Sequence, residues 1–348
     1  MTKERDHALD VTKLIMAILV ICIHTDPLES YSDTGNFILI RVIARIAVPF
    51  FFITAGYYFF VKSRSKVQFM HYMKKLGTTY LLWSVIYLPV NIYVWMNEGF
   101  TKEWLQQYIQ QVFFVGTYYH LWFLPALMFA IAIVYYAQKR MSLRQIAAVS
   151  LVLYLIGLLA DSYYRLTAQV PVLHEMVDGY LAVFEYSRNG LFFGLPFVAL
   201  GALMAKELPE WKLSDAICEF GLLFSFGWMV FEAALLRILG WPIHDSMYVM
   251  LVPTVVFGFI VLLRLRVPGK PIHAYASDIS MVLYLIHPAM ILGVRVLSSQ
   301  LPILKANSLI YFTVIFLLSF TVSHFWVRRK TYAAKAGLGR NQSRPHHT

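Results

Sequence analysis

The sequence predicts an all-α membrane protein of about ten transmembrane helices, with both termini on the cytoplasmic side. Three observations predict it. Apolar residues make up 59% of the chain and charged residues only 14%, against roughly 45–50% and 25% in soluble domains. Apolar runs long enough to approach the 30 Å hydrocarbon core recur along the whole chain, and the mean hydropathy is +0.61. Lysine and arginine fall mainly between alternate runs, as cytoplasmic loops require.

The first run, 10–25, contains KLIMAILVICIH. Eleven helical steps of about 100° bring Lys13 and His24 onto one face, about 16 Å apart. Lys13 completes the span by reaching its inner end, and Asp10 stands one turn before it. The basic-then-apolar start is like a signal peptide, but IHTDPLES offers no small-residue cleavage site, so an uncleaved first span is expected. The second run, 37–61, carries Arg41 and Arg45 four residues apart. They are expected on one face of its outer turns, reaching headgroups or pairing with Glu232. Lys74 and Lys75 open the third run, 74–96. His120 and Trp122 open the fourth, 120–137, and the fifth is 145–160.

Arg188 and Asn189 lead into the sixth run, 189–205. The seventh, 216–236, holds Glu232, which reads as an ion-pair partner more readily than as a catalyst. His244 and Asp245 precede the eighth, 246–263, and Asp245 is expected to cap it with Ser246 at the start. Tyr284 and His287 lie in the ninth, 279–298, and the tenth is 307–327. With the N-terminus inside, every inside loop is basic and holds most of the 30 lysines and arginines, whereas TDPLESYSD (25–33) on the outside is acidic. The outside loops 97–119 and 161–188 are expected to form short surface helices. One membrane domain, 1–330, is followed by a basic tail, 331–348, without an apolar pattern and expected to be disordered on the cytoplasmic side.

Several classes are set aside by composition. The net charge of +11 is explained by cytoplasmic loops rather than by nucleic acid. Cys22 and Cys218 lie in apolar runs and give neither a disulfide framework nor a metal spacing, so no metal is expected. No soluble catalytic domain is visible, which places any chemistry among the helices or at their ends. Ionisable groups within spans are functional candidates. Those of helices one, two, four and six are expected to converge in the outer half of the membrane, with Lys13, Lys74 and Lys75 marking an inner basic entry. The pattern describes a site with an inner mouth for an anionic donor and an outer mouth for an extracytoplasmic acceptor.

These residues resemble the acyltransferase 3 family, integral-membrane enzymes that modify cell-surface molecules. LDVTKLIMAILVICIH is similar to that family's first helix, where an aspartate precedes a basic residue eleven positions before a histidine: here Asp10, Lys13 and His24. Lys13 stands where arginine is commoner, which keeps the charge but not bidentate phosphate recognition. Thr78 stands where a second arginine is common. RIAVPFFFITAGYYFF, YHLWFLPALM and LYLIHPAM also look like family segments. YHLWFLP, RNGLFFGLP, HDSMYVMLVP and LYLIHP further resemble the membrane domain of the vancomycin-resistance serine racemases, for which serine uptake has been proposed. No racemase half is expected after helix ten.

The resemblance implies transfer of an acyl group, usually acetyl, from cytoplasmic acyl-CoA to a hydroxyl outside a bacterial cytoplasmic membrane. The acceptor would be a cell-envelope polysaccharide, peptidoglycan, a lipid-linked sugar or a small molecule. His24 is expected as general base, with Lys13, Lys74 and Lys75 on the donor phosphates. Arg45 would stabilise the oxyanion or hold the acceptor, and Arg41, His120, Trp122, Arg188 and Asn189 would shape the acceptor pocket. Asp10, Glu232, Asp245, Tyr284 and His287 are further candidates. The alternative is a transporter of a small polar molecule such as serine. Against it, the sequence shows neither an inverted repeat nor a pair of interrupted helices.

Overall fold

A computed structural model describes residues 6–61, 65–98, 108–298 and 300–342. The basic residues Lys3, Arg5, Lys62, Arg64 and Arg344 and the middle of the 97–119 loop lie outside these residues. All regular structure among the described residues is helical. Among the described residues seven helices are long and apolar enough to span a membrane: α1 His7–Thr25, α2 Asp33–Phe60, α3 Lys66–Asn97, α6 Gly190–Glu210, α7 Asp215–Leu239, α9 Pro271–Ser298 and α10 Ser308–Arg329. Three shorter apolar helices, α4 Phe123–Ala137, α5 Leu143–Leu159 and α8 Leu251–Arg264, complete the set. These match the ten apolar runs one for one. The chain is a multi-pass membrane protein, and lipid-type faces such as Leu81, Val85, Phe220 and Leu223 are left exposed. The 161–188 loop contains the surface helix Pro171–Phe184. The last helix continues to Gln342, into the segment expected to be a polar tail.

Helix ends follow local chemistry. Asp6 caps α1 by accepting from the Leu9 amide at 3.2 Å. Ser142 and Gln145 form a reciprocal capping box at α5, and Gly240, with φ +61°, ends α7 in the left-handed region.

The helices group into two compact units. One comprises residues 1–40 and 265–348, the other 41–264. In the first, α1 packs against α9, and α9 against α10. Ser30 and Ser308 hydroxyls meet at 2.9 Å near the loop ends. In the second, α2 crosses α6 so closely that a Cβ on Gly56 would lie 2.4 Å from the Val198 carbonyl oxygen, and one on Gly201 2.3 Å from that of Ile53. Close backbone approach through small residues is how membrane helices gain packing without a hydrophobic drive.

Two spans depart from α geometry. α2 passes through a π turn at Ile38–Val42 and a 3-10 turn at Ile43–Ile46. α6 opens with a π turn at Gly190–Gly194. Both spans nevertheless run on as continuous helices through these turns. Such turns displace backbone bonds and gather at functional positions, and they occur beside the two arginine-bearing segments.

Candidate functional site

In the first unit, the chemistry gathers on facing surfaces of α1 and α9. Lys13 donates to Asp10 Oδ1 at 3.1 Å and to Ser277 Oγ at 3.3 Å, with Asp10 buried. The ammonium is thereby held at one place on α1 and tied to α9. Near the other end of the same face, His24 stacks on His287, with ring centroids 5.4 Å apart and planes 23° apart. Tyr284 lies 6.1 Å from the His287 ring.

The orientation of His287 follows from its neighbour. Pro288 has no amide hydrogen and so cannot bond the carbonyl one turn back, that of Tyr284. His287 Nδ1 approaches that oxygen at 2.8 Å. A carbonyl only accepts, so Nδ1 carries the hydrogen and Nε2 is the acceptor nitrogen of the neutral ring. His287 is fully buried, and its locked ring fixes the surface on which His24 lies.

In the second unit, Arg45 is 8% exposed and feels the charges of Arg188, Arg41 and Asp161. Arg41 is more exposed and pairs with Asp245 at 3.8 Å. The two arginines were expected to share one face and one environment; the π and 3-10 turns between them place Arg45 in the core and leave Arg41 at its edge. The Arg188 guanidinium lies over Trp122 at 5.3 Å and Tyr186 at 5.4 Å, and donates to Ser246 Oγ at 3.4 Å. Asn189 accepts from the Leu191 and Phe192 amides at 2.9 and 3.2 Å and donates to Tyr180 and the Tyr186 carbonyl. Its amide thus starts the π turn of α6. His120 is buried among Tyr87, Tyr118 and Tyr119, with centroids 5.1 to 5.8 Å away. Lys74 and Lys75 are exposed on α3.

Two expectations about acids are corrected. Glu232 takes the Val249 and Met250 amides at 2.7 and 2.9 Å and the Tyr163 hydroxyl at 2.7 Å. Its oxygens hold backbone, so it is not the partner of Arg41 or Arg45. Asp245 does not cap α8, which begins at Leu251. The amides of Ser246 and Met247 go instead to Asp161 Oδ1, at 2.9 and 3.0 Å, which also accepts from Ser162. Two buried carboxylates therefore hold the irregular stretch before α8, satisfying amides that hydrocarbon would leave bare. Burial pushes the Asp161 carboxyl, in the turn after α5, up to about 6, against the pull of Ser246, Ser162, Arg188 and Arg45. Burial, then Arg188, lowers His244 in the same loop region. Nothing in the sequence analysis singled out Asp161. The one available signal was an acid placed directly after an apolar run.

Among the described residues no group of three or more His, Cys, Asp or Glu could hold a metal ion. What the geometry does define is a multi-pass helical protein with Lys13 and His24 on one face of α1 and His287 of α9 stacked on His24. A family model described as an acyltransferase domain matches residues 6–325. The chain belongs to this membrane acyltransferase family. It is 34% identical over 270 residues to an amino-acid racemase of Enterococcus faecalis, covering 76% of this chain and 37% of that protein. It is 32% identical over 341 residues to a serine/alanine racemase of Enterococcus gallinarum, covering 94% of this chain and 47% of that protein. The chain thus spans less than half the length of these relatives. No solved structure matches it.

Proposed function

We propose that the chain is a membrane-bound O-acyltransferase of a bacterial cytoplasmic membrane. It takes an acyl group, acetyl in the usual case, from cytoplasmic acyl-CoA and places it on a hydroxyl of an extracytoplasmic acceptor. The observation that carries the proposal is the His24 ring seated on His287, on the helix face that also presents Lys13.

A hydroxyl attacks a thioester poorly until a base takes its proton during attack, and histidine suits that task near neutral pH. In this reading His24 accepts the hydroxyl proton as the oxygen bonds to the thioester carbonyl carbon. The C–S bond then breaks, and the CoA sulfur leaves with the proton His24 held. His287 acts as a positioning residue, since its Nδ1–H bond to Tyr284 fixes the plane against which His24 rests. Lys13, held by Asp10 and Ser277, supplies positive charge for the donor's phosphates. The acceptor is one of the cell-envelope classes given above or a small molecule. The names of the relatives make an amino acid one such molecule.

The test compares wild type and His24→Ala in lipid nanodiscs with acetyl-CoA, following release of free CoA. Loss of general-base catalysis is expected to lower turnover about 10²- to 10⁴-fold, with acetyl-CoA binding retained. Full turnover in the variant would remove His24 from the role. The alternative is transport of a small polar molecule such as serine. Serine uptake that is indifferent to acyl-CoA, yet lost with His24→Ala, would favour it.

A further inference from the structure

We infer that Arg45, Arg188, Tyr248 and Asp161 form a binding site for a small carboxylate bearing a hydroxyl or ammonium beside its acid group. Three buried polar atoms carry the inference. Arg45 Nε, the Tyr248 hydroxyl and Asp161 Oδ2 are each shut away from solvent without a hydrogen-bond partner. Their residues are 8%, 0% and 0% exposed. Leaving one such atom unsatisfied destabilises the fold, more so when it is charged. Three together, within reach of each other's fields, call for a ligand.

The atoms specify its chemistry. Arg45 Nε and the Tyr248 hydroxyl donate, and Asp161 Oδ2 accepts. A ligand that satisfies all three offers anionic oxygens at one end and a donor close by. The charges select among anions. Arg41 is already paired with Asp245. Arg45 and Arg188 against Asp161 leave one net positive charge, which a hydroxycarboxylate monoanion neutralises; with an amino acid the carboxylate takes the arginines and the ammonium pairs with Asp161. A phosphate dianion would bring a second negative charge against Asp161. The Arg188 guanidinium lies over Trp122 and Tyr186, and a guanidinium's planar fork of donors matches a carboxylate. Asp161 Oδ1 is spent on the Ser246 and Met247 amides, so the loop stays in place while Oδ2 faces the ligand.

The inference concerns binding alone, which needs no acyl donor. The experiment measures binding by calorimetry to the full chain in nanodiscs without acyl-CoA. Its probes are lactate, L-serine, propionate, 1,2-propanediol and inorganic phosphate. Lactate or L-serine is expected to bind at least about tenfold tighter than propionate, which lacks the donor, or propanediol, which lacks the acid. Tyr248→Phe deletes one hydroxyl and keeps the ring. It is expected to leave thermal stability unchanged or raised while weakening the preferred probe about tenfold. Arg45→Gln is expected to abolish the preference for acids over propanediol. Preference for phosphate, equal binding of all probes, no binding by any, or unchanged binding in Tyr248→Phe would each overturn the inference. Acid binding with no CoA release in any condition would retain this site and sink the acyl-transfer reading instead.

Discussion

Pro288 leaves the Tyr284 carbonyl without its helical amide, and His287 fills the gap. Pro288→Ala restores that amide as a competitor for the oxygen. The expected result is a straighter α9, a less fixed His24 and turnover reduced about tenfold, read by CoA release with acetyl-CoA KM unchanged. At Lys13 the expected split is opposite: Lys13→Gln should raise the acetyl-CoA KM several-fold and change the saturated rate little. Asp161 offers a test by pH. Its carboxyl titrates higher when folded, at about 6, than in an unfolded chain, at about 3.9. Between these values the folded state keeps a proton that the unfolded state has lost. The contribution of Asp161 to stability is therefore fully present below about pH 4 and is lost as pH rises through about 6. Thermal denaturation of wild type should show this slope, and Asp161→Asn should lack it. Single residues were readable in part. Lys13 and His24 announce themselves by spacing, but the stack on His287 joins positions far apart in the chain, and no local pattern signals it.

The π and 3-10 turns of α2 decide which arginine is buried. Ideal helical spacing treats Arg41 and Arg45 as equals, and no residue type in ILIRVIARI marks where the hydrogen-bond register shifts. The apolar lengths of the spans were legible because hydrocarbon demands them. The carboxylate-held stretch before α8 was not, because an acid near a span end reads equally as a cap, an ion pair or a backbone acceptor. The α2–α6 crossing supplies an element-scale test. Gly201→Ala places a methyl 2.3 Å from the Ile53 carbonyl oxygen, so the helices must separate. A loss of about 1–3 kcal/mol is expected, seen as a lower thermal midpoint in detergent. Gly227, with nothing within 4 Å of an added Cβ, serves as the control and should tolerate alanine.

At the scale of the molecule, alternation of basic loops with acidic or mixed ones was the strongest sequence signal. It ties the orientation of all ten helices to one choice. Reporter fusions after Arg140 are expected to report the cytoplasm and fusions at Glu29 the outside; the reverse would invert the proposed donor and acceptor sides. The Glu232 tether has a consequence for how such a chain enters its bilayer. Glu232 lies in α7, and the amides it holds belong to Val249 and Met250, which leave the ribosome 17 and 18 residues later. A carboxylate alone in hydrocarbon costs several kcal/mol. Release of α7 into lipid is therefore favoured only once the start of α8 has arrived, so these two helices should integrate as a hairpin rather than one by one.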